Sequence, residues 1–490
     1  MKNLVGILMM TLGACDALEE LVAGEAPPVE VAPPTVVPVT TSSEEARASF
    51  EAGMVALDNI RGAEAIFDFD QALELDPGFV RAKAMLGSLK PGNEGLALLV
   101  EANEAAGELP EAERILIQSM LANAKGRQAE SIELLERVAE LAPKDWRVQM
   151  QLGNVAFFQD DYDAALNYLQ KATELSPDAG PAWNMLGYTR AQLGDFDGAV
   201  ASFDRYIGLA PNEANPHDSK GEILLEAGRF ADSEAAFTES TKVDQSFFVG
   251  WFGIAQTRFL RGDWEGGMAA IDKGHQAATT ALDKSTAHTA KAWALAAQGD
   301  RAGAEATLAE AGQQAKAQGL NSTYAFAALT RGRILLSVEA WSDAAKAFDE
   351  ALARLKAVGL QGGFAEELRD QAALGKAHAA ARRGNVEEAR ETLHAITDKL
   401  VARPGLKNDI AHLHGVLDIA VGDIQPGIFM LETCPEVAFR CRHDLAKAQA
   451  AAGQDDAANA TLAKIKGHPF REAAFLPVWV AAGVGSEALE

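Results

Sequence analysis

Residues 146–177 read WRVQMQLGNVAFFQDDYDAALNYLQKATELSP, and residues 178–211 read DAGPAWNMLGYTRAQLGDFDGAVASFDRYIGLAP. Set Leu152-Gly153 on Leu186-Gly187, and Ala165 falls on Ala199, Leu169 on Phe203 and Pro177 on Pro211, always 34 residues further on. A fixed period of that size marks stacked copies of one small unit rather than a single closed core. Each copy holds two helical patterns, apolar at i, i+3, i+4 and i+7, parted by a breaker such as Gly194-Asp195. Gly153 and Ala165, like Gly187 and Ala199, stand where two antiparallel helices must approach closely. The closing Pro lacks a backbone donor and disfavours helix at the residue before it, which ends the second helix. One such hairpin cannot cover its own apolar face, but the next one stacked on it can. The expectation is an all-α solenoid of helical hairpins.

The frame extends both ways. Residues 46–77 place Gly53, Ala65, Phe69, Ala72 and Pro77 at the matching points. Residues 79–110 are degenerate, with a break at Lys90-Pro91-Gly92, and residues 112–143 recover the pattern. Residues 214–245 keep Gly221, Ser233 and Phe237, and residues 248–274 keep Trp251 and Gly267. Beyond 274 the period loosens. Breakers at Gly299-Asp300, Ala340-Trp341, Gly384-Asn385, Gly422-Asp423 and Gly453-Gln454 mark divergent units over 275–472, with insertions at 315–323 and 356–365. A helix over 473–482, within a terminal segment 473–490, is expected to cap the last apolar face. The recurring large residue (Trp183), Leu-Gly, small residue, aromatic or Leu, Ala and Pro resemble the tetratricopeptide repeat. That resemblance implies about twelve units, well matched over 46–274.

Lys and Arg total 44 against 70 Asp and Glu, a net charge of −26. Such a balance argues against nucleic acid and anionic membrane surfaces as partners, since both require a basic stripe. It suits a long soluble array kept dispersed by like charge, or a basic partner. The chain has no run of 18 apolar residues of the kind that spans a bilayer.

The chain begins MKNLVGILMMTLGAC: one Lys, a short apolar stretch, then Leu12-Gly13-Ala14-Cys15. This resembles a bacterial lipoprotein signal. The resemblance implies removal of residues 1–14 and lipidation of Cys15, with more than one acyl chain giving stable anchoring. Asp16 is the residue that in enteric bacteria tends to hold such proteins in the inner membrane. An ordinary signal peptide with a chance Cys, or a buried helix, is the alternative. Residues 15–45 then read as the anchor and a tether, with Pro27, Pro28, Pro33, Pro34 and Pro38 favouring an extended polyproline spacer.

Chemistry is sparse. Cys434 and Cys441 flank a turn between helical patterns and could pair as a disulfide; two free buried thiols are the alternative. His412 and His414 lie two apart and point to different sides of a helix. Glu391 and His394 have di-iron half-site spacing but no partner motif. The phosphate-cradle, zincin and nucleophile-elbow motifs are missing. No catalytic residue, metal, cofactor or small-molecule substrate is expected.

The partner expected is a protein or extended peptide. In tetratricopeptide arrays the first helix of each unit lines a concave groove. Carried over position by position, this puts Arg147, Met150, Asn154 and Phe157 there, then Asn184 and Tyr188. Asp218, Glu222 and Leu225 follow, then Phe252, Gln256 and Phe259; core packing is the alternative for Phe157, Phe252 and Phe259. The two-carboxylate clamp of chaperone-binding members is missing. Asn154 fits it, but Met150, Met185, Asn215 and Ser219 do not. The function expected is a lipid-anchored envelope scaffold for complex assembly or secretion. The alternatives are a mechanical spacer and a non-catalytic subunit of an envelope enzyme complex.

Overall fold

A computed structural model describes residues 35–467 except 59–60, 91, 360–362, 400–405 and 436–437, and except the side chain of Leu282. The expected lipidation site Cys15 and the expected capping helix 473–482 lie outside the described residues. The chain divides into two compact units, Met1–Pro211 and Asn212–Glu490.

The first unit holds five hairpins. They pair α1 (Glu44–Asp58) with α2 (Gly62–Leu75), and α3 (Val80–Leu89) with α4 (Gly92–Ala105). Next come α5 (Glu111–Ala124) with α6 (Gln128–Leu141), α7 (Trp146–Phe158) with α8 (Tyr162–Leu175), and α9 (Gly180–Gln192) with α10 (Phe196–Leu209). The second unit holds seven, beginning with α11 (Ala214–Glu226) and α12 (Phe230–Val243), then α13 (Phe248–Leu260) and α14 (Trp264–Ala277). Longer helices follow: α15 (Ala281–Ala297), α16 (Arg301–Ala317), α17 (Asn321–Ser337) and α18 (Trp341–Ala357). The last three pairs are α19 (Gly363–Arg382) and α20 (Val386–Thr397), α21 (Lys407–Ala420) and α22 (Ile424–Glu432), and α23 (Phe439–Ala451) and α24 (Asp455–Gly467). Twelve hairpins and no strand occur among the described residues, so the all-α solenoid and its unit count are as the period implies. The loosened period beyond 274 is helix lengthening: α15 to α18 have 17 residues each and α19 has 20.

The two-residue breaker has a physical division of labour. Gly194 takes φ +82 and ends α9 in the left-handed region, which glycine enters without steric cost. Asp195 then caps α10, its carboxylate accepting the Gly198 backbone N–H at 2.9 Å. In the preceding hairpin Asp160 takes the glycine's place at φ +62, and Asp161 caps α8 through the Ala164 N–H at 3.1 Å.

Close approach is set inside most of the hairpins by one glycine. A Cβ added to Gly187 would lie 2.7 Å from the Phe203 ring, and one on Gly153 would lie 2.6 Å from Leu169 Cγ. The same contact recurs at Gly221 on Phe237, Gly332 on Phe348 and Gly415 on Leu431. Phe203, Phe237 and Leu169 are fully or almost fully buried, each contributing about 1.5–3 kcal/mol by leaving water.

A correction concerns the tether. Sequence composition marks residues 15–45 as a free linker, yet Val37 is completely buried and joins the apolar core of the first unit. The described end of that segment is seated on the repeats because Val37 and Val39, on either side of Pro38, supply apolar surface that composition alone does not weigh.

Two substitutions separate close packing from helix propensity. Gly187→Val should destabilise the protein by about 1–3 kcal/mol through overpacking against Phe203. Gly208→Ala, at an exposed position with open space around it, should stabilise by about 0.5–1 kcal/mol. Urea unfolding followed by circular dichroism reads both, and equal effects would contradict the packing argument.

Candidate binding surfaces

In the first unit, residues 35–41 form a strap across the starts of several first helices. The Lys144 N–H donates to the Thr35 carbonyl at 2.8 Å, and the Val37 N–H donates to Asp145 Oδ2 at 3.1 Å. The Arg81 guanidinium, on α3, reaches the Pro38 carbonyl at 3.3 Å. Glu113, on α5, takes both the Thr40 N–H at 3.1 Å and its hydroxyl at 2.5 Å. The Thr41 hydroxyl donates to Asp76 Oδ2 at 2.6 Å. Asp145 serves twice, because its Oδ1 also caps α7 through the Arg147 and Val148 N–H groups.

Beneath the strap lie charges with little water. Arg81 and Glu113 are fully buried and Asp145 nearly so. Burial lowers the Arg81 guanidinium to about 10, with Glu113 and Asp145 working the other way. Arg147 stacks on Trp146 at 4.3 Å and forms an ion pair with Asp58. Burial raises the Asp58 carboxyl to about 6 even with Arg147 beside it.

The residues carried over from the family groove divide by exposure. Arg147, Met150, Asn184 and Phe252 are all buried, as are Phe157, Asp218, Leu225 and Phe259. Asn154, Tyr188, Glu222 and Gln256 are half-buried and present part of their side chains outward. Tyr188 packs edge-on to Phe203 at 5.2 Å, which fixes its ring against the hairpin core. Arg147 is thus engaged with Asp58 rather than open, and Phe157, Phe252 and Phe259 follow the core alternative.

In the second unit, Cys434 and Cys441 are joined as a disulfide with α-carbons 6.4 Å apart. Glu391 and His394 both sit exposed on α20. His412 points inward and His414 outward. The inward His412 meets two residues that sequence reasoning did not connect to it. Its Nε2 lies 2.7 Å from Asp444 Oδ2, and His378 Nε2 lies 3.8 Å from the same oxygen. The two imidazoles pack edge-on with centroids 4.6 Å apart. Arg382 pairs with the other oxygen, Asp444 Oδ1. Burial holds both imidazoles below their ordinary range, His378 strongly. Burial opposes the charge on Asp444, but His412 and Arg382 outweigh it and keep the carboxyl well below the usual range.

The sequence did contain signals for both sites. Arg81, Glu113 and Arg147 are charges recurring near the start of successive first helices, about one period apart. His378, His412 and Asp444 likewise stand about one repeat length apart, on α19, α21 and α23.

Residues 150–214 and 329–401 match the family model described as tetratricopeptide repeat. Among solved structures, the chain is similar to a tetratricopeptide repeat protein from Parabacteroides merdae ATCC 43184. The two are 14% identical, with 67% of this chain and 99% of that one covered and a TM-score of 0.33. It is also similar to TTC0263, a thermophilic TPR protein of Thermus thermophilus, at 17% identity, 38% and 98% coverage and a TM-score of 0.33. YrrB, a TPR protein with an unusual peptide-binding site, gives 17% identity, 36% and 91% coverage and 0.29. No curated protein matches the chain. Hairpins of this kind, stacked on glycine contacts, make it a helical-repeat protein. Within that class, residues 150–214 and 329–401 carry the tetratricopeptide repeat (TPR), a fold typical of protein–protein interaction scaffolds.

A buried acid supplies a test on α11. Asp218 is 5% exposed, and its Oδ1 has no hydrogen-bond partner among the described residues. Burial first, then the like charge of Glu222, pushes its carboxyl well above the ordinary value of 3.8. Folding therefore favours the protonated acid. This contribution is complete below the unfolded value and is lost as pH rises through the folded one. Asp218→Asn should stabilise the protein by about 1 kcal/mol at pH 8 and by less at pH 4. Melting temperatures across that range read the effect, and a constant difference would contradict it.

Proposed function

We propose that the chain is a lipid-anchored scaffold of a bacterial cell envelope that holds an extended segment of a protein partner along the first helices of its hairpins. The supporting observation is the strap. Over residues 35–41 the first unit takes an extended polypeptide by its main chain, with side-chain carboxylates accepting N–H groups and a guanidinium meeting a carbonyl. Main-chain recognition of that kind is indifferent to most side chains, so it suits a partner segment as well as the chain's own. A preformed helical surface avoids its own ordering cost on binding. Half-buried Asn154 and Tyr188 on α7 and α9 are the contact residues of this reading, and neither catalysis nor a small-molecule substrate is part of it. The anchor rests on Leu12-Gly13-Ala14-Cys15, and assembly or secretion is the envelope role it suits.

The two parts are separable by experiment. Photo-cross-linking in intact cells should recover a partner through the native chain. Recovery should fall about tenfold, or about 1.4 kcal/mol, for the Asn154→Ala, Tyr188→Ala double variant. Unchanged recovery would favour the spacer reading. Radiolabelled palmitate should enter the native chain and not a Cys15→Ser variant; equal labelling of both would remove the anchor.

A further inference from the structure

The cluster on α19, α21 and α23 is built as a ligand set. One nitrogen from each of His378 and His412 and one oxygen from Asp444 lie within 4.8 Å of one another. All three side chains are at least nine-tenths buried. They project from the first helices of three successive hairpins, so their positions are fixed by helix packing rather than by loops. The two oxygens of Asp444 are already divided in role. Oδ2 faces both imidazoles, at 2.7 Å from His412 and 3.8 Å from His378, while Oδ1 is held by Arg382. A guanidinium on the outer oxygen orients the carboxylate as partners of metal ligands commonly do.

Access is also present. A cleft of about 40 Å³ borders the cluster, with His378, Gln371, Asp409 and Arg440 among its lining residues. That is room for a few waters. Of the three ligands, His378 is the one that lines it, so an ion would be reached from the His378 side.

The geometry points to a binding site for a first-row divalent cation of the zinc class, held by His378, His412 and Asp444. Two imidazoles and one carboxylate suit such ions better than magnesium or calcium, which favour all-oxygen sets. Ligand bonds of about 2.0–2.2 Å require the 2.7 Å His412–Asp444 contact to open slightly and His378 to draw in. These are side-chain adjustments that leave the helices in place. Arg382 keeps Oδ1, so the carboxylate binds through one oxygen.

The test uses the full chain, stripped with chelator and titrated with Co²⁺ and Zn²⁺. The expected result is one ion per chain by elemental analysis and visible Co²⁺ bands of a nitrogen–oxygen site that Zn²⁺ abolishes. Zn²⁺ should also raise the melting temperature. His378→Gln and His412→Gln, checked for native circular dichroism, should each weaken binding at least tenfold. Arg382→Lys should retain it. Three results would overturn the site. These are no Co²⁺ bands at 100-fold molar excess, binding undiminished in both folded histidine variants, or a stoichiometry traced to the separate pair His275 and His288 on α14 and α15, which lie 3.1 Å apart.

Discussion

Within most hairpins, the helix-to-helix distance is set by one side chain lying on a glycine. Phe203 on Gly187, Phe237 on Gly221, Phe348 on Gly332 and Leu169 on Gly153 are the same contact made again and again. A ring or leucine placed flat on bare backbone brings the axes together and buries the large side chain at once. Everything else in the array follows from that spacing. Neighbouring hairpins can nest because each presents the same width, and small residues such as Ala165 and Ala199, both completely buried, keep that width constant. Polar atoms that end up between first helices then have little choice but to find partners among themselves.

That last consequence links the two surfaces. In the first unit, buried Arg81, Glu113 and Asp145 are satisfied partly by the main chain of residues 35–41. In the second, buried His378, His412 and Asp444 pair with one another and with half-buried Arg382. Both arrangements place charge where desolvation is costly, and a buried ion pair is weak evidence for stability on its own. Their common feature is position: one contribution from each successive first helix, converging on a shared point. An array of this sort turns a repeat into a site by letting equivalent positions differ in chemistry.

How much was legible in the sequence depends on what each feature answers to. Helix boundaries and hairpin count follow from local signals, Gly for the left-handed turn and Asp for the cap, so the 34-residue frame located them. The lengthened α15 to α18 were visible only as a loosened period. Groove residues were harder, because residues four apart on a first helix differ by only about 40° in direction, enough to turn one to the core and the next to the margin. Met150 and Phe252 went inward while Asn154 and Gln256 stayed at the margin. The strap eluded composition entirely, since proline content speaks of an extended backbone and not of what that backbone touches. The histidine cluster was missed because its members were judged by spacing within one helix, whereas their proximity arises between helices.

The account rests on the repeat being a structural unit whose phase matters more than its length. Its most direct test excises residues 146–179, one whole period joining Asp145 to Gly180, and compares this with loss of residues 146–162, half a period. Thermal unfolding followed by circular dichroism should stay cooperative and fully helical for the whole-period deletion, and should become broad with reduced helicity for the half-period one. Equal damage from both, or equal tolerance of both, would contradict it.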